Sequence, residues 1–88
     1  MVSGIRDIKN GSLKIYPNPT NSMVFIEAEN IREVEIVDLM GRKINSLQTD
    51  AVNKIQIDIN EFSLVSGNYL LKIKTADFVF IQKIFVVH

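Results

Sequence analysis

Few side chains in this sequence have the type and spacing that catalysis requires. The only histidine, His88, is the last residue, so we interpret it as a tag remnant or a solvated chain end that no neighbouring side chains orient. Acidic residues such as Glu33, Glu35 and Asp58 occupy alternate strand positions or strand ends, which is typical of a solvated sheet face. The sequence therefore predicts no catalytic residue and a protein that is not an enzyme.

The residue types that bind metals and cofactors are equally sparse. The absence of cysteine excludes disulfides, thiolate metal sites and cysteine nucleophiles. No loop carries acidic residues at alternating positions, as a calcium site requires, and the 4 glycines are too scattered for a phosphate-binding loop. We therefore expect neither a metal nor a cofactor.

Aromatic side chains offer the one remaining kind of ligand chemistry, a face that stacks against sugars. The candidates are Tyr16, Phe25, Tyr69, Phe78 and Phe80. Aromatic residues contribute strongly to the cores of small β-proteins, so we favour a core position for these side chains. Carbohydrate binding stays open as an alternative.

Composition limits the class of protein further. The 88 residues suffice for one domain, and 47% of them are apolar, which is enough for a core without disulfides. Ten basic and ten acidic residues balance, which excludes the basic field of a nucleic-acid-binding protein. No apolar run approaches the length of a membrane helix. The N-terminus lacks the pattern of a secretory signal, so an exported chain would need its inner-membrane address elsewhere.

Short runs of alternating apolar and polar residues, separated by turn residues, predict strands nearly throughout. The expected strands are 13–16, 23–29, 33–39, 42–47, 54–59, 68–75 and 78–87. Gly41 is expected to form a tight reversal, and 60–66 a turn that packs Phe62 and either Leu64 or Val65 against the core. This pattern predicts an all-β protein, a seven-stranded antiparallel β-sandwich of immunoglobulin-like type.

The two ends of the chain differ in pattern. Residues 1–12 are weakly patterned apart from Ile5 and Ile8, so we interpret them as a linker before a domain at 13–88. The last predicted strand carries apolar residues on both faces, which indicates burial on both sides or one apolar face that awaits a partner. Edge strands of such a domain could also pair two copies into a homodimer.

Four motifs occur in a fixed order along the chain. They are Tyr16-Pro17-Asn18-Pro19, then Val34 to Leu39 leading to Gly41-Arg42, then Gly67-Asn68-Tyr69, and finally Lys83-Ile84-Phe85-Val86-Val87. In this order, and with the last motif at the chain end, the sequence resembles the type A C-terminal sorting domain of the type IX secretion system. The resemblance covers about residues 5–87. One departure is Gln82, where the family often has a second basic residue beside the one at Lys83.

The resemblance implies a sorting and export signal and no catalytic activity. A cargo protein fused to its N-terminal side would cross the periplasm and pass through the outer-membrane translocon. A sortase-like peptidase would then remove the domain, leaving the cargo at the cell surface or in the medium. The residues that carry the sorting motifs would be Tyr16, Pro17, Asn18, Pro19, Gly41, Arg42, Gly67, Tyr69, Lys83, Ile84 and Val86.

These motif residues also have structural interpretations. Pro17 and Pro19 end strand pairing, while Asn18 and Asn21 are expected to bond locally to the backbone of the turn. Gly41 and Gly67 are expected to allow turns, and Tyr69 to pack inward with its hydroxyl on a loop carbonyl. For Lys83 and the final strand, a structural role and direct contact with a receptor are equally open interpretations. The rival functions are a carbohydrate-binding or adhesive module and a passive immunoglobulin-like spacer.

Overall fold

The computed structural model describes residues 13–87, and all of its regular structure is β-strand. The strands are β1 Lys14–Tyr16, β2 Met23–Asp38, β3 Lys43–Asp58, β4 Gly67–Thr75 and β5 Val79–Val86. All strand pairs are antiparallel, which confirms the predicted all-β antiparallel class. The predicted linker at 1–12 and the terminal His88 lie outside the described residues. Residues 13–87 contain no helix that is long and apolar enough to cross a membrane.

The predicted count of seven strands is wrong, because two of the expected breaks are bends inside long strands. β2 and β3 run 16 residues each, and they stay paired on both sides of the bend. Asn30 and Ala51 take positive φ values of 55° and 53° there, which rotates the chain without ending the strand. Across the bend, the backbone N–H of Asn30 donates to the Asn53 side-chain oxygen at 3.0 Å.

The two bent strands turn one sheet around the core, in place of the predicted sandwich of two sheets. The first half of β2 lies between β1 and the second half of β3. The second half of β2 lies between the first half of β3 and β4, and β5 follows on the far side of β4. A parallel bridge from Thr20 to Val86 joins the segment after β1 to the end of β5. The result is a half-barrel of five strands.

The core lies inside this curved sheet and consists almost entirely of aliphatic side chains. Every second residue of β4 and of the end of β3 points inward, as the alternation predicted. The fully buried side chains include Ile26, Ile31, Ile36, Ile57, Ile59, Leu71, Ile73 and Ile84. Each such side chain stabilises the fold by about 1.5–3 kcal/mol relative to an exposed position. In the turn after β3, Leu64 is buried and Phe62 packs beside it, whereas Val65 points to solvent.

Candidate functional site

The first motif follows β1, where two prolines end the strand as predicted. The peptide bonds before Pro17 and Pro19 are both cis. The ring of Tyr16 stacks on Phe25 with centroids 5.4 Å apart, and its hydroxyl donates to the Glu27 carboxylate. The bond to Glu27 raises the pKa of the Tyr16 hydroxyl, so this group is a neutral donor at physiological pH. Tyr16 thus anchors the motif to β2.

The Asn18 side chain binds the edge of the last strand and, within residues 13–87, makes no hydrogen bond to its own turn. Its amide nitrogen donates to the Lys83 carbonyl at 3.1 Å, and its oxygen accepts from the Phe85 N–H at 3.0 Å. The prediction of a local bond for Asn18 is therefore wrong. The physical reason is the curvature of the sheet, which brings β5 beside a residue 65 positions earlier in the chain.

Thr20 continues this edge contact through its backbone. Its N–H donates to the Phe85 carbonyl at 2.9 Å, and its carbonyl accepts from the Val87 N–H at 2.8 Å. Thr20 is only 2% exposed, and its hydroxyl donates to the Met23 carbonyl at 2.9 Å. Together, Asn18 and Thr20 occupy the outer edge of β5 from Lys83 to Val87, a contact that we call the edge clamp.

The second motif forms a tight loop that Asp38 holds together. Gly41 has a φ of 88°, which confirms the predicted reversal at glycine. One carboxylate oxygen of Asp38 accepts from the N–H groups of Met40 and Arg42 at 2.9 Å each. The other oxygen accepts from Arg42 Nε at 2.9 Å. The Arg42 N–H bond is the main cause that lowers the pKa of Asp38, so this carboxylate is ionised at neutral pH.

The third motif begins β4. Gly67 has a φ of 150°, a conformation that side chains rarely adopt. Tyr69 is buried, and its hydroxyl donates to the Val65 carbonyl at 2.7 Å. This contact confirms the predicted inward tyrosine with its hydroxyl on a loop carbonyl.

The strand register brings all four motifs to the same end of the half-barrel. Asp38 pairs with Tyr69, and Tyr69 pairs with Ile84 on β5. Asn18 binds Lys83 and Phe85, the two neighbours of Ile84. Asn18 therefore lies at the end of the row of residues that runs across the strands from Asp38 to Ile84. Residues that lie far apart in the chain therefore form one continuous surface, which we call the motif end: 16–20, 38–42, 67–69 and 83–87.

The final strand divides its apolar residues between two environments. Ile84 and Val86 point into the core and are at most 1% exposed. On the outward face, Val79 is 58% exposed, Ile81 64% and Phe85 42%. Of the two predicted interpretations, the structure therefore supports one apolar face open to solvent. Lys83 lies on this outward face, paired with Leu70 of β4.

The arrangement offers surfaces for recognition. Residues 13–87 contain no group of three acidic or histidine side chains placed to hold a metal ion. Two residues that lie within or beside the motifs but outside the predicted set of sorting residues, Asp38 and Thr20, make several of the hydrogen bonds at the motif end. A signal for Asp38 was present, since an acidic residue shortly before Gly41-Arg42 is well placed to accept the N–H groups of a tight turn.

Comparison with known protein families gives a match. Residues 14–87 match the sequence model of the secretion system C-terminal sorting domain, the family of the type IX system. The match begins with β1 and extends one residue beyond β5, so it includes all five strands and the whole motif end. No curated protein matches this chain in sequence.

Proposed function

The chain belongs to the family of type IX secretion system C-terminal sorting domains, and from this premise we propose that it directs a fused cargo protein through the outer membrane. The observation that carries the proposal is the family match over every strand, together with the convergence of the four motifs on one end. A sorting signal needs a surface that a receptor reads and a fold that presents this surface. The motif end and the outward face of β5 supply such surfaces.

The proposed route begins with a cargo fused on the N-terminal side, which crosses the inner membrane through a separate signal peptide. The folded sorting domain then engages the outer-membrane translocon from the periplasm. A sortase-like peptidase cuts in the linker, near or before Ile5, and the cargo reaches the cell surface or the medium. In this route the domain is a substrate without catalytic residues or cofactors of its own.

Within the last hairpin, Tyr69 to Val87, two modes of receptor contact compete. An exposed strand edge can add to a partner's sheet, and an exposed apolar face can pack against a partner. The edge clamp already engages the C=O of Lys83, both backbone groups of Phe85 and the N–H of Val87 on this edge. We therefore favour the outward face, where Val79, Ile81 and Phe85 lie on the same side of β5 as the cation of Lys83.

The test is a fusion of a signal peptide, a fluorescent reporter and this chain, expressed in a bacterium with an active type IX system. Export of the reporter with loss of the domain is the expected result. A reporter that stays intact in the periplasm beside a folded domain would overturn the proposal. In that outcome a carbohydrate-binding or spacer role takes its place, and substitution of Tyr16 and Phe78 by alanine on glycan arrays separates the two.

The outward face is tested in the same fusion with Ile81→Thr and Phe85→Thr combined, because threonine keeps the strand preference and removes apolar surface. Val52→Thr on β3 is the matched control, since Val52 is also a solvent-exposed β-branched residue. We expect the double variant to accumulate in the periplasm and the control to be exported. Equal export of both would exclude the outward face of β5 as the recognition surface.

A further inference from the structure

A groove at the motif end lies between the loop at 39–42 and the start of β4. Arg42, Lys43 and Ile44 line one side, and Val65, Gly67 and Tyr69 line the other. Its volume is about 550 Å³, which is large enough for a few side chains of an extended peptide. The second motif, with Arg42, and the third motif, with Gly67 and Tyr69, therefore both line this groove.

The groove is lined by two cations, Arg42 and Lys43, and one carboxylate, Asp38, so its net charge is positive. Within the guanidinium of Arg42, Asp38 engages only the Nε, and the Arg42 side chain is 77% exposed. Among residues 13–87, the terminal nitrogens of Arg42 have no hydrogen-bond partner, and Lys43 has no ion pair. Asp38 thus holds the guanidinium in one orientation while its outer fork stays available, and this fork matches the geometry of a carboxylate.

Besides its charged and polar residues, the groove wall carries two exposed apolar side chains. Val65 is 71% exposed and Ile44 39%, although both are of a type usually found in the core. An exposed apolar pair beside an oriented cation is complementary to a segment that carries both carboxylates and apolar side chains.

We propose that this groove binds an extended acidic and apolar segment of a protein of the export machinery. Arg42 takes a carboxylate of the segment, Lys43 adds a second positive charge, and Ile44 and Val65 contact its apolar side chains. The inference rests on the proposed function, because the partner that it assigns is part of the translocon. It assigns a second contact, which borders the outward face of β5 because Lys43 and Ile81 line one neighbouring depression.

The test uses the reporter fusion with Arg42→Gln and Lys43→Gln combined. The matched control is Arg32→Gln with Lys14→Gln, which also removes two exposed cations but leaves the groove unchanged. We expect about a tenfold or greater loss of export for the groove variant, as for loss of a charge pair at an interface, and little change for the control. Arg42→Lys should recover part of the export, because it restores the charge without the planar fork.

Two measurements keep failure of the fold separate from failure of recognition. Thermal unfolding of each purified domain shows whether the variant folds, and Val65→Thr tests the groove at a residue whose side chain is mostly in solvent. Export of the wild-type fusion together with equal export of both groove variants would overturn the inference and leave the proposed function intact. A wild-type fusion that is not exported would overturn both.

Discussion

The two faces of β5 use the same kinds of residue for opposite purposes. Ile84 and Val86 are buried in the core, while Ile81 and Phe85 of the same strand point to solvent. Because side chains alternate along a strand, a single apolar run can serve the fold on one face and a partner on the other. Under the proposed function, folding and recognition in β5 are therefore assigned to alternate residues of one strand and not to separate segments.

The largest expected effect is a difference in stability between the same substitution made on the buried face and on the outward face of β5. Ile84→Thr leaves a cavity and buries a hydroxyl, so we expect it to lower the free energy of unfolding by about 2–4 kcal/mol. Ile81→Thr exchanges one exposed β-branched residue for another and should change it by less than about 0.5 kcal/mol. Urea unfolding of the purified domain measures both.

The contrast between the two faces of β5 is contradicted if Ile84→Thr and Ile81→Thr lower the free energy of unfolding by similar amounts. That result would mean that Ile81 is covered by a second copy of the chain packed on the outward face of β5, and not by the edge-strand pairing predicted from the sequence. Sedimentation of the wild-type domain checks this directly, since a dimer through β5 would also make its melting temperature depend on protein concentration.

The contrast also explains which features the sequence could predict. Strict alternation identified the inward residues of β4 and the Ile55, Ile57 and Ile59 series, because burial of one face imposes a period of two. The two-faced pattern of β5 was visible too, but the sequence could not tell a second burial from an exposed face. That choice depends on which neighbour covers the strand, and this is set by the whole sheet.

Two errors have the same physical origin. Asn30 and Ala51 fall in the predicted gaps between strands, at 30–32 and 48–53, yet hydrogen-bonded neighbours on both sides carry the strands through the bends. Asn18 looked like a residue with a local bond, yet its partners Lys83 and Phe85 lie 65 and 67 positions away. Local sequence reports the conformational preference of a residue, whereas the partner that satisfies its polar groups is decided by tertiary contacts.

The edge clamp extends the comparison from the faces of β5 to its edge. Asn18→Ala removes two side-chain bonds to the backbone of β5, and we expect the free energy of unfolding to fall by about 1–3 kcal/mol because each such bond contributes about 0.5–1.5 kcal/mol. Asn21→Ala is the control, since the Asn21 side chain makes no hydrogen bond within residues 13–87. Amide exchange at Phe85 should accelerate in the first variant only. Equal exchange in both would show that the backbone of Thr20 holds this edge unaided.

The smallest effect concerns the loop that orients Arg42, and it should depend on pH. The pKa of Asp38 is lowered in the folded domain from its ordinary value of 3.8, chiefly by the Arg42 N–H. A lowered folded pKa means that the ionised carboxylate contributes stability that is fully present above 3.8 and is lost as the pH falls through the folded value.

Asp38→Asn should therefore be less stable than the wild type at neutral pH, and the difference between the two should shrink once the pH falls below 3.8. Asp50→Asn on β3 controls for the loss of one negative charge, because Asp50 makes no hydrogen bond or ion pair within the described part of the chain. Urea midpoints across the acidic range measure the difference. If the stability difference between Asp38→Asn and the wild type stays constant with pH, the charge of the Asp38 carboxylate does not stabilise the loop. In that case the backbone of the loop orients Arg42.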